Sequence, residues 1–290
     1  MVNQLNLSPE MDTIKVIKVE RLASIFLETE KELDDLVIQS GWNQTAQDWS
    51  IFLRLGTICI VRSPLGRIIA SGAVLPMGSN VAWISMILVS PDFRSKGLGK
   101  AVLRYCIEHV HSIRHVAYLD ATPAGEGLYL QHGFKKLAQL TRWRRVNKLI
   151  QTNIDYLLHQ PDIDALSKLD ANAFGADRAE VLKNFLSRKE TLYRQNPRGF
   201  VILRQGRTAH QIGPLVASDE LNASRLFEWA DHYLADQVYI DVVDQRKAFT
   251  EKLKAHGYVQ QRSFTRMMNG LHGNLDSNNL TYAIAGPEFG

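Results

Sequence analysis

The chain has little cysteine: two residues in 290, Cys59 in a strand-like run and Cys106 on a predicted helix face. That excludes a scaffold built on disulfides and fits two core thiols in a reducing, cytoplasmic setting, bacterial or organellar. A Cys/His quartet with zinc spacing is missing as well. His109 and His111 stand two apart on a predicted helix and face different ways, and His115 opens the next strand, so no metal is expected. Long apolar runs are absent, since the longest are of strand length, and no membrane-spanning helix is expected. Residues 1–17 carry Glu10 and Asp12 without an apolar block and do not read as a secretory signal. A net charge of +4 is too small for a nucleic-acid surface. The one basic cluster, Arg142-Trp143-Arg144-Arg145, reads as an exposed strand end running into a linker. A rim that attracts a phosphate or an acidic partner is the alternative.

What is present is enough apolar material for full-sized cores, 45% of residues, in a chain long enough for two domains. The run Val81 to Val89 is almost wholly apolar and rich in β-branched and aromatic residues, as a buried strand requires. Pro91 stops it. From Ala101 to Val110 apolar residues recur at helical spacing. The loop Arg94 to Gly99 therefore opens a helix, whose free N–H groups and dipole favour an anion. Glycine at 97 and 99 lets a phosphate approach the backbone. Neither the P-loop spacing nor the Gly-x-Gly-x-x-Gly dinucleotide fingerprint is met.

The second half echoes the first. Tyr118-Leu119-Asp120 is matched by Tyr239-Ile240-Asp241, His132-Gly133-Phe134 by His256-Gly257-Tyr258, and Thr141-Arg142 by Thr265-Arg266. This is the duplication of a whole domain, with a linker near 145–153 and a division into residues 1–147 and 148–290. From Val89 to Tyr118 is 29 residues, but from Val216 to Tyr239 only 23. After Val216 come Asp219 and Glu220 and no glycine, an arrangement that suits a helix start but repels a diphosphate. The second half is expected to have lost such a site.

Val89-x-Pro91-x-x-Arg94-x-x-Gly97-x-Gly99 resembles the acyl-CoA pyrophosphate loop of the GNAT superfamily of N-acetyltransferases, Val-x-Pro-x-x-Arg/Gln-x-x-Gly-x-Gly/Ala. Gly41-Trp42-Asn43-Gln44, Leu119 to Gly125, Phe174 to Arg178 and the run Tyr282 to Gly290 extend the resemblance to tandem GNAT proteins with a divergent second domain. The fold implied is α+β (α/β-type GNAT fold): two tandem mixed-sheet domains flanked by helices. The co-substrate implied is acetyl-CoA. Its diphosphate would sit on Arg94, Ser95, Lys96, Gly97, Leu98, Gly99 and Lys100. Its pantetheine would lie along Ile87, Leu88 and Val89 in a gap opened where this strand splays from Val116–Ala121, with a backbone N–H near Leu88 as oxyanion donor.

Tyr129 matches the tyrosine of the superfamily's Leu-Tyr-x-x-x-Gly-Phe motif, whose hydroxyl lies near the CoA sulfur. A phenol, with an ordinary pKa of about 10, suits protonation of a thiolate. The aligned residue in the second half is Leu253, which cannot donate. No acid stands on Val81 to Val89, where many members place a glutamate; Ser85 is the one polar side chain there and would at most orient a water. Asp120 is a candidate base, or a cap for the helix starting at Pro123. Glu28, Glu30 and Asp48 lie in the helical region that lines the acceptor pocket in this superfamily, and proton loss to ordered water is a further route. Trp42, Trp49 and Phe52 would wall that pocket or pack as core; Asp48 and Ser85 complete the candidate pocket set.

The function these features predict is acetyl transfer to a primary amine, of a small molecule, by direct transfer in a ternary complex. Acetylation of a protein lysine or N-terminus, and a non-catalytic acyl-CoA sensor, are the alternatives. The expected partner is the amine acceptor, with neither nucleic acid nor membrane. A monomer or a homodimer is expected, because the strand around Leu280 to Ala285 is free to pair within the chain or across a dimer.

Overall fold

The apolar run noted above forms a strand with the bounds its composition gives, Val81–Val89, and the first half is built around it. In a computed structural model, residues 17–24, 26–146, 161–234, 236–270, 275 and 279–290 are described. Most of the expected linker lies outside them. In chain order the first half runs β1 (Glu20–Leu22), α1 (Leu27–Gln39), α2 (Ala46–Leu55), β2 (Thr57–Arg62), β3 (Ile68–Met77) and β4 (Val81–Val89). It continues with α3 (Leu98–Ser112), β5 (Val116–Ala121), α4 (Pro123–Gln131) and β6 (Lys135–Arg145). The second half runs α5 (Ile163–Phe174), α6 (Ala179–Ser187), β7 (Leu192–Asn196), β8 (Gly199–Arg204) and β9 (His210–Ala217). Then follow α7 (Glu220–His232), β10 (Val238–Val243), α8 (Lys247–Ala255), β11 (Val259–Asn269) and β12 (Thr281–Ala283). None of the helices among the described residues is long and apolar enough to cross a membrane.

The strands join in one mixed sheet of order β1-β2-β3-β4-β5-β11-β6-β10-β12-β9-β8-β7. The halves exchange strands at its centre. β11 lies between β5 and β6, and β6 lies between β11 and β10, all antiparallel. The duplicated motifs meet across this exchange. Arg266 faces Asp120 and Arg142 faces Asp241 in register. Each pair is bidentate and buried: Arg142 Nε and Nη2 donate to Asp241 at 2.7 and 2.8 Å, and Arg266 Nε and Nη2 donate to Asp120, both at 2.9 Å. Buried pairs of this kind add little over an apolar pair, but they penalise any register that strands an arginine.

This corrects the reading of Arg142 to Arg145 as an exposed strand end. Arg142, Trp143 and Arg145 are buried, and Arg145 Nε donates to Asp231 at 2.8 Å. A central strand can bury arginine because the partner half supplies the carboxylates.

On one face of the sheet α1, α2, α5 and α6 share a single core that runs through both halves. In it Phe289 stacks on Phe52 at 5.3 Å and Trp83 meets Phe174 at 5.9 Å. On the other face α3 covers the first half, while α7 and α8 cover the second. α3 packs close: a Cβ built on Gly72 would come within 2.5 Å of Val102 Cγ1. Cys59 of β2 and Cys106 of α3 meet in this buried layer, with Sγ atoms 3.6 Å apart and unbridged. β12 pairs within the chain, with β9 and β10.

Candidate active site

The gap expected beside β4 follows from where its pairing ends. β4 and β5 pair in parallel from Val81↔Val116 to Trp83↔Tyr118 and then part. Beyond that point Ser71 faces Leu88 while Ala73 faces Ser85, so β4 holds one residue more than β3. The extra residue makes a bulge. Met86 takes φ 54° there, and Ser71 Oγ donates to its carbonyl at 3.0 Å. Leu88 lies just past the bulge.

β4 leads into a 3₁₀ turn at Pro91–Phe93 and then the glycine loop. Ser95 at φ 62° and Gly97 at φ 82° bend the chain so that α3 opens at Leu98. Arg94 Nε donates to Val89 O at 3.2 Å and ties the loop to the strand. Leu98 is buried and anchors the helix start; Arg94, Ser95, Gly97 and Lys100 are exposed, and Lys96 and Gly99 half-buried. No side chain caps α3, and its first turn holds no acid, so no side-chain cap competes for its first N–H groups. A Cβ built on Gly99 would meet only Val89 Cγ2, at an ordinary 3.6 Å. Internal packing does not demand glycine there, whereas close approach of a diphosphate does. The loop fits the diphosphate of a coenzyme.

The equivalent place in the second half is filled twice over. Asp219 caps α7, accepting from Asn222 N at 2.9 Å, and that bond, with one from Ser218, holds its carboxyl below the usual range. β9 and β10 pair in parallel from His210 to Ile212 and then part, as β4 and β5 do, but here β12 enters the opening and bonds to both strands. Leu253, opposite number of Tyr129, is buried in the core.

On the first half's side the gap opens into a pocket. Ile84, Ser85, Met86 and Ile87 of β4 line it, with Leu119 and Asp120 of β5 and Tyr129 of α4. Trp42, Asn43 and Gln44, between α1 and α2, form a second wall. Arg142, Arg262 and Phe264 from the exchanged strands, with Thr122, Pro287 and Glu288, complete it. The structure thus brings together Trp42, Ser85, Asp120 and Tyr129 from the candidates. Trp49 is fully buried in the shared core. Asp48 borders a smaller adjoining cavity and accepts from Arg188 Nη1 at 2.9 Å.

The second half holds the pocket wall in place. Asn43 Nδ2 donates to Ala209 O at 3.0 Å, and its Oδ1 accepts from the backbone of Thr208 and Ala209. Tyr129 packs edge-on to Phe134 at 5.8 Å, and burial pushes its hydroxyl well above the ordinary phenol range. Burial also raises the Asp120 carboxyl, against the pull of Arg266. Thr122, not Asp120, occupies the cap position of α4. Ser85 Oγ and Gln44 Oε1 are buried without a hydrogen-bond partner among the described residues.

Sequence reasoning passed over Glu288, and read Arg142 as an exposed strand end. Among the described residues no group of three or more His, Cys, Asp or Glu side chains is placed to hold a metal.

Two family models match the chain, both described as an acetyltransferase (GNAT) domain: one over residues 54–136, the other over 166–283. The first spans the glycine loop and Tyr129. A candidate acetyltransferase from Pyrococcus horikoshii has a similar structure, with TM-score 0.78 at 20% identity over 100% of this chain and 99% of that one. A tandem GNAT protein from the clavulanic acid biosynthesis pathway matches with TM-score 0.63 at 14% identity, over 89% and 100%. A GCN5-related N-acetyltransferase from Sphaerobacter thermophilus matches with 0.60 at 14%, over 90% and 98%. At these identities the structures speak for the fold alone. No curated protein matches. With a GNAT domain matched in each half and the fold of tandem GNAT structures, the chain belongs to the GNAT superfamily of acetyltransferases.

Proposed function

We propose that the chain moves the acetyl group of acetyl-CoA to the primary amine of a small molecule, by direct transfer with both substrates bound. One observation carries this reading: the same strand, β4, lines the pocket with Ile84 to Ile87 and runs on into the uncapped glycine loop. Residues 1–147 then form the acetyl-CoA-binding, catalytic domain, and residues 148–290 a degenerate domain that walls the acceptor side.

Acetyl-CoA supplies an activated thioester when bound. N–H groups from Ser95 to Lys100 hold its diphosphate, and edge groups of Ile87 to Val89 pair with the pantetheine amides as an added strand. A backbone N–H near Leu88 donates to the thioester oxygen. Tyr129, kept protonated by its burial, gives a proton to the departing thiolate.

A concave pocket walled by both halves and lined by apolar and polar side chains together has the character of a small-molecule site. The test is thiol release from acetyl-CoA with a panel of small primary amines beside lysine-bearing peptides. Release with a small amine and none with the peptides is expected. Release with peptides alone would assign a protein acceptor, and tight acetyl-CoA binding without release on any amine would assign a sensor.

A further inference from the structure

The acceptor amine must lose a proton, and β4 carries no acid to take it. Asp120, the acid the sequence offers, has both oxygens engaged by Arg266. The segment 281–290 brings in another. After β12 has entered the opening between β9 and β10, the chain crosses to the first half. Ile284 N donates to Asp241 O at 3.0 Å, Trp83 Nε1 donates to Pro287 O at 2.9 Å, and Phe289 is stacked on Phe52. A tight turn sets Glu288 between these anchors, Phe289 N and Gly290 N both donating to Gly286 O. A Cβ on Gly286 would lie 2.7 Å from Glu288 Oε1, so the glycine makes room for the carboxylate.

We propose that Glu288, carried into the first half's pocket by this segment, is the base that accepts the proton of the acceptor amine. Its carboxyl is buried yet lines the pocket, with Ser85, Met86 and Tyr129 also in the lining. Gln44 Nε2 donates to Glu288 Oε2 at 2.8 Å and fixes its orientation. Burial raises its pKa to about 7; Arg204 of β8 and Arg142 of β6 pull it down, and Asp48 of α2 pushes it up. Arg142 is already matched by Asp241, and Asp48 by Arg188. A carboxylate poised there takes a proton at neutral pH far more readily than an ordinary glutamate.

The step balances. The amine nitrogen forms its bond to the acetyl carbon and gives a proton to Glu288. The C–S pair leaves on sulfur, which takes a proton from Tyr129. Glu288 then releases its proton to solvent and Tyr129 regains one. The inference rests on the acetyl-transfer reading, and the experiment separates the two.

Acetyl-CoA is titrated into wild type and Glu288→Gln, a substitution that keeps volume and the bond from Gln44. Thiol release with n-propylamine as probe is followed against pH, and the carboxyl infrared band lost in Glu288→Gln is titrated in the wild type. Equal acetyl-CoA affinity, a wild-type kcat/KM rising through about pH 7, and a variant about 100-fold slower without that limb are expected, with the band titrating in step. A variant with the wild-type rate and profile overturns the base, and so does a band that titrates in the ordinary carboxyl range whatever the probe does. Failure of the wild type to bind acetyl-CoA overturns the acetyl-transfer reading instead.

Discussion

Replacing Gly99 with glutamate is expected to abolish acetyl-CoA binding while leaving the fold as stable as before. Gly99 is the second residue of α3, and a Cβ there meets only Val89 Cγ2 at 3.6 Å. The backbone therefore accepts a side chain, and an acid near a helix N-terminus is mildly favourable, by about 0.3–1 kcal/mol. The same carboxylate occupies the ground of the diphosphate and repels it. Loss of two charge-assisted hydrogen bonds at about 1.5–3 kcal/mol each weakens Kd by about 100-fold or more. Position 97 gives a less clean result: Gly97 sits at φ 82°, where a side chain costs about 1–2 kcal/mol and folding and binding would change together. Calorimetric Kd beside a thermal melt makes the check. Wild-type affinity in Gly99→Glu would remove the loop from the site.

Tyr129→Phe is expected to lower kcat by about 100-fold and to leave acetyl-CoA affinity nearly unchanged. The phenylalanine ring keeps the edge contact with Phe134; only the proton donor goes. The pH dependence has a definite sign. An acid that must be protonated loses activity as pH rises through its pKa, and burial pushes the Tyr129 hydroxyl upward. The wild type should therefore show no loss from this group across the neutral and mildly alkaline range. A kcat within twofold of wild type in Tyr129→Phe would take Tyr129 out of the mechanism.

The parts legible in the sequence are the local ones. Val81 to Gly99 puts strand, loop and helix start within one continuous stretch, and the strand β5 at Val116–Ala121 and the helix start at Pro123 follow from the same kind of pattern. The duplication was legible from matched motifs, but not that the copies would meet. Asp120 and Arg266, 146 positions apart, pair because β6 and β11 change places, and no local signal marks an exchange. The same exchange explains why Arg142 to Arg145 looked exposed: the carboxylates that neutralise Arg142 and Arg145 come from the other half. Glu288 was hidden for a related reason. It stands among glycine and proline, where a charge reads as loop, and its bond to Gln44 spans 244 positions.

We propose that the first half alone holds the coenzyme, the second having its opening filled by β12 and its helix capped by Asp219. Calorimetric titration of the full chain with acetyl-CoA tests this most directly. The account predicts one acetyl-CoA bound per chain, and none when Gly99 is glutamate. Two bound per chain, or one that persists in Gly99→Glu, would contradict it.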